Sequence, residues 1–178
     1  QLRKEGIIPN LSVNLSTRAL VDAELPDLVD QALRTWSVPP GQITLEITES
    51  SMIGDAERSM AMLTRLKGTG VGLSIDDFGT GYSSLAYLKR FPLDELKIDR
   101  LFVAGLLTDR GDHQIVRSVI DLSHNFELRA VAEGVEEPAT LEELKRMGCD
   151  LAQGFLMARP MGEREFRAWW LDKGGTHA

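Results

Sequence analysis

Strand-length segments of this chain repeat a two-residue pattern that few folds can satisfy. In LSVNLS (11–16), Leu11, Val13 and Leu15 share one parity while Ser12, Asn14 and Ser16 share the other. ITLEIT (43–48) sets Ile43, Leu45 and Ile47 against Thr44, Glu46 and Thr48, and ELKID (95–99) sets Leu96 and Ile98 against Lys97 and Asp99. Successive side chains of a strand point to opposite faces, so each segment has one apolar and one polar face. Further strand candidates lie at 71–76, 129–133 and 150–155, and helical spacing fills the intervals at 27–36, 55–67, 112–125, 138–147 and 163–172. Such alternation predicts a parallel sheet with right-handed crossovers. Parallel strands covered on both faces normally read as continuous apolar runs, so a recurring polar parity needs a reason. An α/β architecture closed as a TIM-type (β/α) barrel supplies one, with apolar side chains under the outer helices and polar ones pointing into the mouth at the strand ends. An antiparallel sheet with one wet face is the alternative, and the helices between strands weigh against it.

Composition narrows the partners. The hydrophobic share of 43% and charged share of 26% suit a globular domain. A formal net charge of −7 argues against nonspecific nucleic-acid binding, so DNA is not an expected partner. The single cysteine, Cys149, offers neither a disulfide framework nor a cysteine metal cluster, which fits a reducing compartment. No apolar run is long enough to span a bilayer and the start carries no signal-peptide pattern, so a soluble, cytoplasmic domain is expected. His113, His124 and His177 fall in helical or terminal segments and read as surface residues, while Trp169 and Trp170 read as core or interface.

A barrel mouth would gather Asn14, Glu46, Asp76, Asp77, Lys97, Asp99, Glu133 and Gln153 from six strand ends. Asp76 and Asp77 can converge on one site only where their strand stops and the backbone turns, and Gly79 and Gly81 permit a turn. Like charges about 4 Å apart repel by roughly 4 kcal/mol at an effective dielectric near 20, and Lys97 alone cannot offset so many. Hard oxygen ligands without cysteine, and with no histidine at a strand end, suit Mg²⁺ or Mn²⁺ rather than zinc. Two such ions bridged by one carboxylate would polarise a phosphoryl group and activate water, and the tandem aspartates are placed for bridging. Singly, each residue has an ordinary reading: Glu46 or Glu133 as a salt-bridged strand end, Asn14 as a turn former, Lys97 with Asp99 as a structural ion pair.

The chain also resembles the EAL domain, the cyclic di-GMP-specific phosphodiesterase of bacterial signalling. The likeness runs in order through VNLS (13–16), LEITES (45–50), DDFGTGYSSL (76–85), LKID (96–99), AEGVE (132–136) and QGF (153–155), followed by Pro160. It implies a modified TIM barrel, two Mg²⁺ or Mn²⁺ ions, and hydrolysis of cyclic di-GMP to the linear dinucleotide. By motif position, Asn14, Glu46 and Asp76 would hold one metal and Asp76, Asp77 and Glu133 the other. Lys97 would orient the attacking water, making Lys97, Glu133 and Asp77 the catalytic set. Gln153, Asp99, Glu49, Glu136, Ser16 and Pro160 would line or support the site, with Glu49 steadying the loop after Asp77. The FGTGYSS loop (78–84) resembles the segment that couples dimerisation to activity, which implies a homodimer.

The strand bearing the Glu-Ala-Leu signature, with its metal-binding glutamate and phosphate-binding arginine, is not in the sequence. The expectation is therefore a fragment, with residues 1–178 forming the C-terminal three-quarters of one barrel and six of eight strands present. Such a fragment would have little activity alone. Relatives of this kind are often fused to diguanylate cyclase or sensory domains. A second reading is a nonenzymatic module that senses cyclic di-GMP, and a third is a Schiff-base lyase using Lys97. The carboxylates around Lys97 would keep it protonated, which suits charge stabilisation better than amine attack.

Overall fold

The computed structural model describes residues 2–49, 56–79 and 88–173. Six parallel strands form one sheet in strictly sequential order among these residues. They are β1 Leu11–Leu15, β2 Ile43–Thr48, β3 Gly72–Phe78, β4 Glu95–Ile98, β5 Arg129–Ala132 and β6 Leu151–Ala152. The helices between and after them are α1 Thr17–Leu20, α2 Leu25–Trp36, α3 Ala56–Gly68, α4 Arg100–Gly105, α5 Arg110–Asn125, α6 Pro138–Met147 and α7 Glu163–Asp172. Sequential order without reversal puts right-handed crossovers on one face, which curls the sheet into a barrel wall.

The apolar parity builds the core on that face. Ile47, Leu73, Leu96, Ile98, Ala130 and Ala132 are fully buried, packed in one cluster with Leu63 and Leu66 of α3, Val116 and Ile120 of α5 and Leu144 of α6. Burying one such Leu or Ile side chain contributes about 1.5–3 kcal/mol, so this cluster orders the wall. Helix α5 starts at a cap: the Asp109 side chain accepts from the Gly111 and Asp112 amides. Helix α6 starts with Pro138 and stops at Gly148, which takes the left-handed conformation (φ 83°) that favours glycine.

Four expectations need correction. First, Leu11 (51% exposed) and Val13 (45%), on the edge strand β1, stay exposed instead of being buried under a helix. Second, β3 does not stop at Asp76. It runs to Phe78 through a register shift between Ile75 and Phe78, and Asp77 itself adopts φ 57°. The two aspartates converge through a bulge-like irregularity within the strand, and the expected turn follows at Gly79, which also has a positive φ (100°). Third, the segment 150–155 narrows to Leu151–Ala152, although the Gln153 amide still donates to Ala132 O at 2.8 Å. Fourth, α1 and α4 fall where only connecting chain was expected; at four and six residues, neither carries enough turns to display a period.

The helix of 27–36 begins earlier, at Leu25, with Pro26 in its first turn, where a missing amide costs nothing. Helix 112–125 likewise starts at Arg110. His113 and His124 are partly exposed and lie beside Glu143 and Asp150. Trp169 and Trp170 pack against Phe166 with ring centroids 6.0 and 5.7 Å away. Gly81, His177 and the 78–84 loop beyond Gly79 lie outside the described residues.

Candidate active site

The polar parity projects into the concave side of the wall and is more deeply buried than a mouth alone requires. Ser74 (0% exposed), Lys97 (3%), Glu46 (6%), Glu95 (8%) and Asp99 (8%) are all buried. Lys97, at the centre of β4, is the hub. Its Nζ lies 2.8 Å from Glu46 Oε2 on β2, 3.1 Å from Asp76 Oδ1 on β3 and 2.5 Å from Glu133 Oε1 just past β5. Side chains from β2, β3 and the end of β5 therefore close on one ammonium, in a sheet whose register pairs Glu46 with Ser74 and Lys97 with Val131. Burial works against the lysine's charge, but the hydrogen bonds it donates to Glu133 and Glu46 outweigh this and raise its pKa well above the ordinary value. Lys97 is a fixed cation, not a latent amine.

The acids around it are not balanced. Asp76, Asp77 and Glu133 each offer a carboxylate oxygen, and these oxygens lie within 4.8 Å of one another. Burial raises the Asp77 carboxyl above its usual range, with Asp76 and Asp99 adding to the effect and Lys97 and Arg100 opposing it. Burial also raises Glu133, against the pull of Lys97. Glu46, Asp76 and Glu133 thus share one lysine, with Asp77 beside them. The donors in the trio are hard oxygens, so the residues present fit a divalent cation that prefers oxygen.

The other expected site residues take definite places. Asn14 stands at the sheet edge in register with Glu46, exposed. Gln153 donates from Nε2 to Glu133 Oε1 at 2.5 Å. Asp99 does not pair with Lys97 among the described residues; its Oδ1 caps α4 by accepting from the Leu101 amide at 2.8 Å. Ser16 caps α1, its Oγ accepting from the Ala19 amide at 3.2 Å. Glu49 is buried, and its Oε2 accepts from the Gly79 amide at 3.3 Å, one residue past β3. Glu136 and Pro160 line a cavity of about 1000 Å³ that shares Glu133 and Gln153 with the acidic cluster.

Sequence reasoning missed other groups. Arg100, Phe155 and Arg159 line the same cavity, and the Arg159 guanidinium sits over the Phe155 ring at 4.4 Å from its centroid. The signal for Arg100 was its position directly after Asp99 at a strand end. Glu95 was also passed over. It sits on β4 below Lys97, paired with Arg129, and burial raises its pKa.

Comparison with known proteins agrees with this geometry. The family profile described as EAL domain matches residues 1–160. The bifunctional diguanylate cyclase/cyclic di-GMP phosphodiesterase MucR of Pseudomonas aeruginosa is 48% identical over 159 residues, covering 89% of this chain and 23% of that protein. The solved structure of the MucR phosphodiesterase in complex with c-di-GMP superposes with a TM-score of 0.84 at 48% identity, over 88% of this chain and 64% of that one. The EAL domain of Mycobacterium smegmatis DcpA gives a TM-score of 0.89 at 44% identity, over 97% of this chain and 78% of that one. The chain thus spans about a quarter of the length of curated relatives such as MucR. In fold and in sequence, this chain belongs to the EAL domain family.

Proposed function

We propose that this chain carries a large part of the active site of a metal-dependent phosphodiesterase that hydrolyses cyclic di-GMP to the linear dinucleotide. The supporting observation is the convergence of Asp76, Asp77 and Glu133 beside a buried, protonated Lys97 at the strand ends of a barrel wall. It occurs in a chain similar to MucR, a protein named for cyclic di-GMP phosphodiesterase activity.

In this reading Asn14, Glu46 and Asp76 would hold one Mg²⁺ or Mn²⁺, and Asp76, Asp77 and Glu133 would hold a second. Bound there, divalent cations supply Lewis-acid polarisation of a phosphoryl oxygen and acidify water. The protein's own groups do the rest. Lys97 keeps its charge and orients the attacking water, which removes the basis for a Schiff-base reaction. Gln153 fixes the Glu133 carboxylate through its amide, and Glu49 holds the chain just past Asp77 through the Gly79 amide. Asp99 and Ser16 brace the helices that follow β4 and β1. Glu136 and Pro160 shape the cavity wall on which the nucleotide rests.

We further infer that the six strands are part of one closed barrel, with residues 1–178 as its C-terminal three-quarters. The apolar side chains exposed on β1 and the unpaired outer edges of β1 and β6 among the described residues support this. A homodimer through residues 78–84, a fused cyclase or sensory domain in a longer parent, and a cytoplasmic location complete the proposal. No helix of the described chain is long and apolar enough to cross a membrane.

The test is hydrolysis of cyclic di-GMP by the full-length protein with Mg²⁺ or Mn²⁺. Turnover that stops on chelation supports the reading. Binding without turnover in either metal replaces it with a cyclic di-GMP receptor. The isolated 178 residues are expected to show little or no turnover.

A further inference from the structure

The cavity beside the acidic cluster contains a cation that the proposed chemistry leaves without a task. Arg100 opens α4 directly after the capping Asp99, and its side chain is exposed along the cavity wall. Among the described residues its guanidinium makes no ion pair, whereas the other arginine on this wall, Arg159, is stacked on Phe155. Arg100 nevertheless shares that wall with Glu133 and Gln153, the hydrogen-bonded pair that joins the cavity to the acidic cluster. Its backbone is held close by Gly134, the residue after Glu133: a Cβ at that position would lie 2.6 Å from Arg100 Cβ, and the glycine has φ 66°. A side chain at 134 would displace Arg100 from the end of β5. The sequence thus places a glycine of positive φ next to a cluster carboxylate, where it leaves room for an exposed arginine to reach over it.

The chemistry supplies a task for that cation. A cyclic dinucleotide carries two phosphodiester anions, and only one can face the Asp76, Asp77 and Glu133 cluster at a time. The rest of the ligand must extend past the shared wall of Glu133 and Gln153 into the cavity, which Glu136 and Glu137 also line. Lys97 is buried and engaged by three acids, so it cannot answer a second anion. We propose that Arg100 is a substrate-binding residue that contacts a phosphate of the bound nucleotide outside the acidic cluster. A guanidinium suits this because its fork of donors matches a phosphate's oxygens. The assignment rests on the phosphodiesterase reading above.

The experiment compares wild-type, Arg100→Gln and Arg100→Lys forms of the full-length protein by calorimetric titration with cyclic di-GMP in EDTA, where no turnover occurs, and by steady-state hydrolysis in Mg²⁺. Losing one charge-assisted hydrogen bond should weaken binding by about tenfold or more in Arg100→Gln, with Arg100→Lys in between. KM should rise with kcat unchanged, and the salt dependence of binding should flatten. Equal affinity in all three proteins overturns the assignment. A fall in kcat at unchanged affinity overturns it too, because it would mean that Arg100 acts through Asp77 instead. If the Gln variant unfolds, the Lys variant alone decides by the same affinity and KM criteria. A wild type that neither binds nor hydrolyses cyclic di-GMP overturns the phosphodiesterase reading itself. A wild type that binds, beside an Arg100→Gln variant that binds equally well, overturns only the role of Arg100.

Discussion

The two ends of the sheet handle charge in opposite ways. At the base, where the strands begin, one arrangement occurs twice. Asp94, just before β4, accepts the Leu73 amide of β3 at 2.8 Å, returns its own amide to Leu73 O at 2.9 Å, and pairs with Lys67 near the end of α3. Asp150, just before β6, accepts the Ala130 amide of β5 at 2.8 Å, returns its amide to Ala130 O at 3.2 Å, and pairs with His124 near the end of α5 at 2.9 Å. Each acid there has an amide donor and a partner of opposite or titratable charge. At the mouth, Glu46, Asp76 and Glu133 close on one lysine with Asp77 beside them, Asp77 takes a left-handed backbone, and two of the acids are raised by burial. Local satisfaction at one end and unbalanced charge at the other is the division expected when one end serves stability and the other serves a ligand.

The contrast breaks most sharply at Asp77. Asn tolerates a positive φ about as well as Asp, so Asp77→Asn keeps the backbone and removes one charge. Hydrolysis of cyclic di-GMP by the full-length protein should fall by roughly 10³-fold or more, about 4 kcal/mol of barrier, while the unfolding midpoint without metal stays level or rises. A variant with full activity, or one that loses stability in parallel with activity, would erase the division between the two ends.

Lys97 should behave differently, because removing it leaves Glu46, Asp76 and Glu133 buried without their cation. Lys97→Met is expected to cost about 3–5 kcal/mol in denaturant unfolding, the penalty for breaking a buried ion network from one side. A cost below about 1 kcal/mol would mean that water, not the lysine, compensates those acids.

At the base the expected effects are smaller and confined to stability. Asp94→Asn should cost about 1–2 kcal/mol through the weakened bonds to Leu73 and Lys67, with kcat unchanged. The smallest effect, on the order of 1 kcal/mol after allowing for partial exposure, is expected at Asp150 and depends on pH. Burial opposes its charge, but the Ala130 amide and His124 hold its carboxyl below the ordinary range. A depressed folded-state pKa stabilises above the unfolded value and is lost as pH falls through the folded one. The gap in unfolding free energy between wild type and Asp150→Asn should therefore be full at neutral pH and shrink below about pH 4. A gap independent of pH would make Asp150 a neutral hydrogen-bonding residue.

Much of this was readable in the residues themselves, because strand parity is local. Leu45, Ile47, Leu96 and Ile98 announced the helix-covered face, and Glu46, Lys97 and Asp99 the opposite one. What escaped were facts set by neighbours distant in sequence. No local rule says that Asp77, as well as Gly79 (φ 100°), takes a positive φ, since that follows from the register shift of β3 against β4. The engagement of Lys97 by Glu46, Asp76 and Glu133, instead of by its sequence neighbour Asp99, depends on which strand ends lie side by side. Leu11 and Val13 read as core because their pattern matches β2, and whether a patterned face is covered depends on what packs over it.

The central claim is that the unbalanced acids at the mouth form a divalent-cation site and the balanced acids at the base do not. Calorimetric titration of the full-length protein with Mn²⁺, repeated on Asp77→Asn and Asp94→Asn, tests it directly. The account expects saturable uptake by the wild type and by Asp94→Asn, with loss or marked weakening in Asp77→Asn. No uptake by the wild type, or equal uptake by all three, would contradict it.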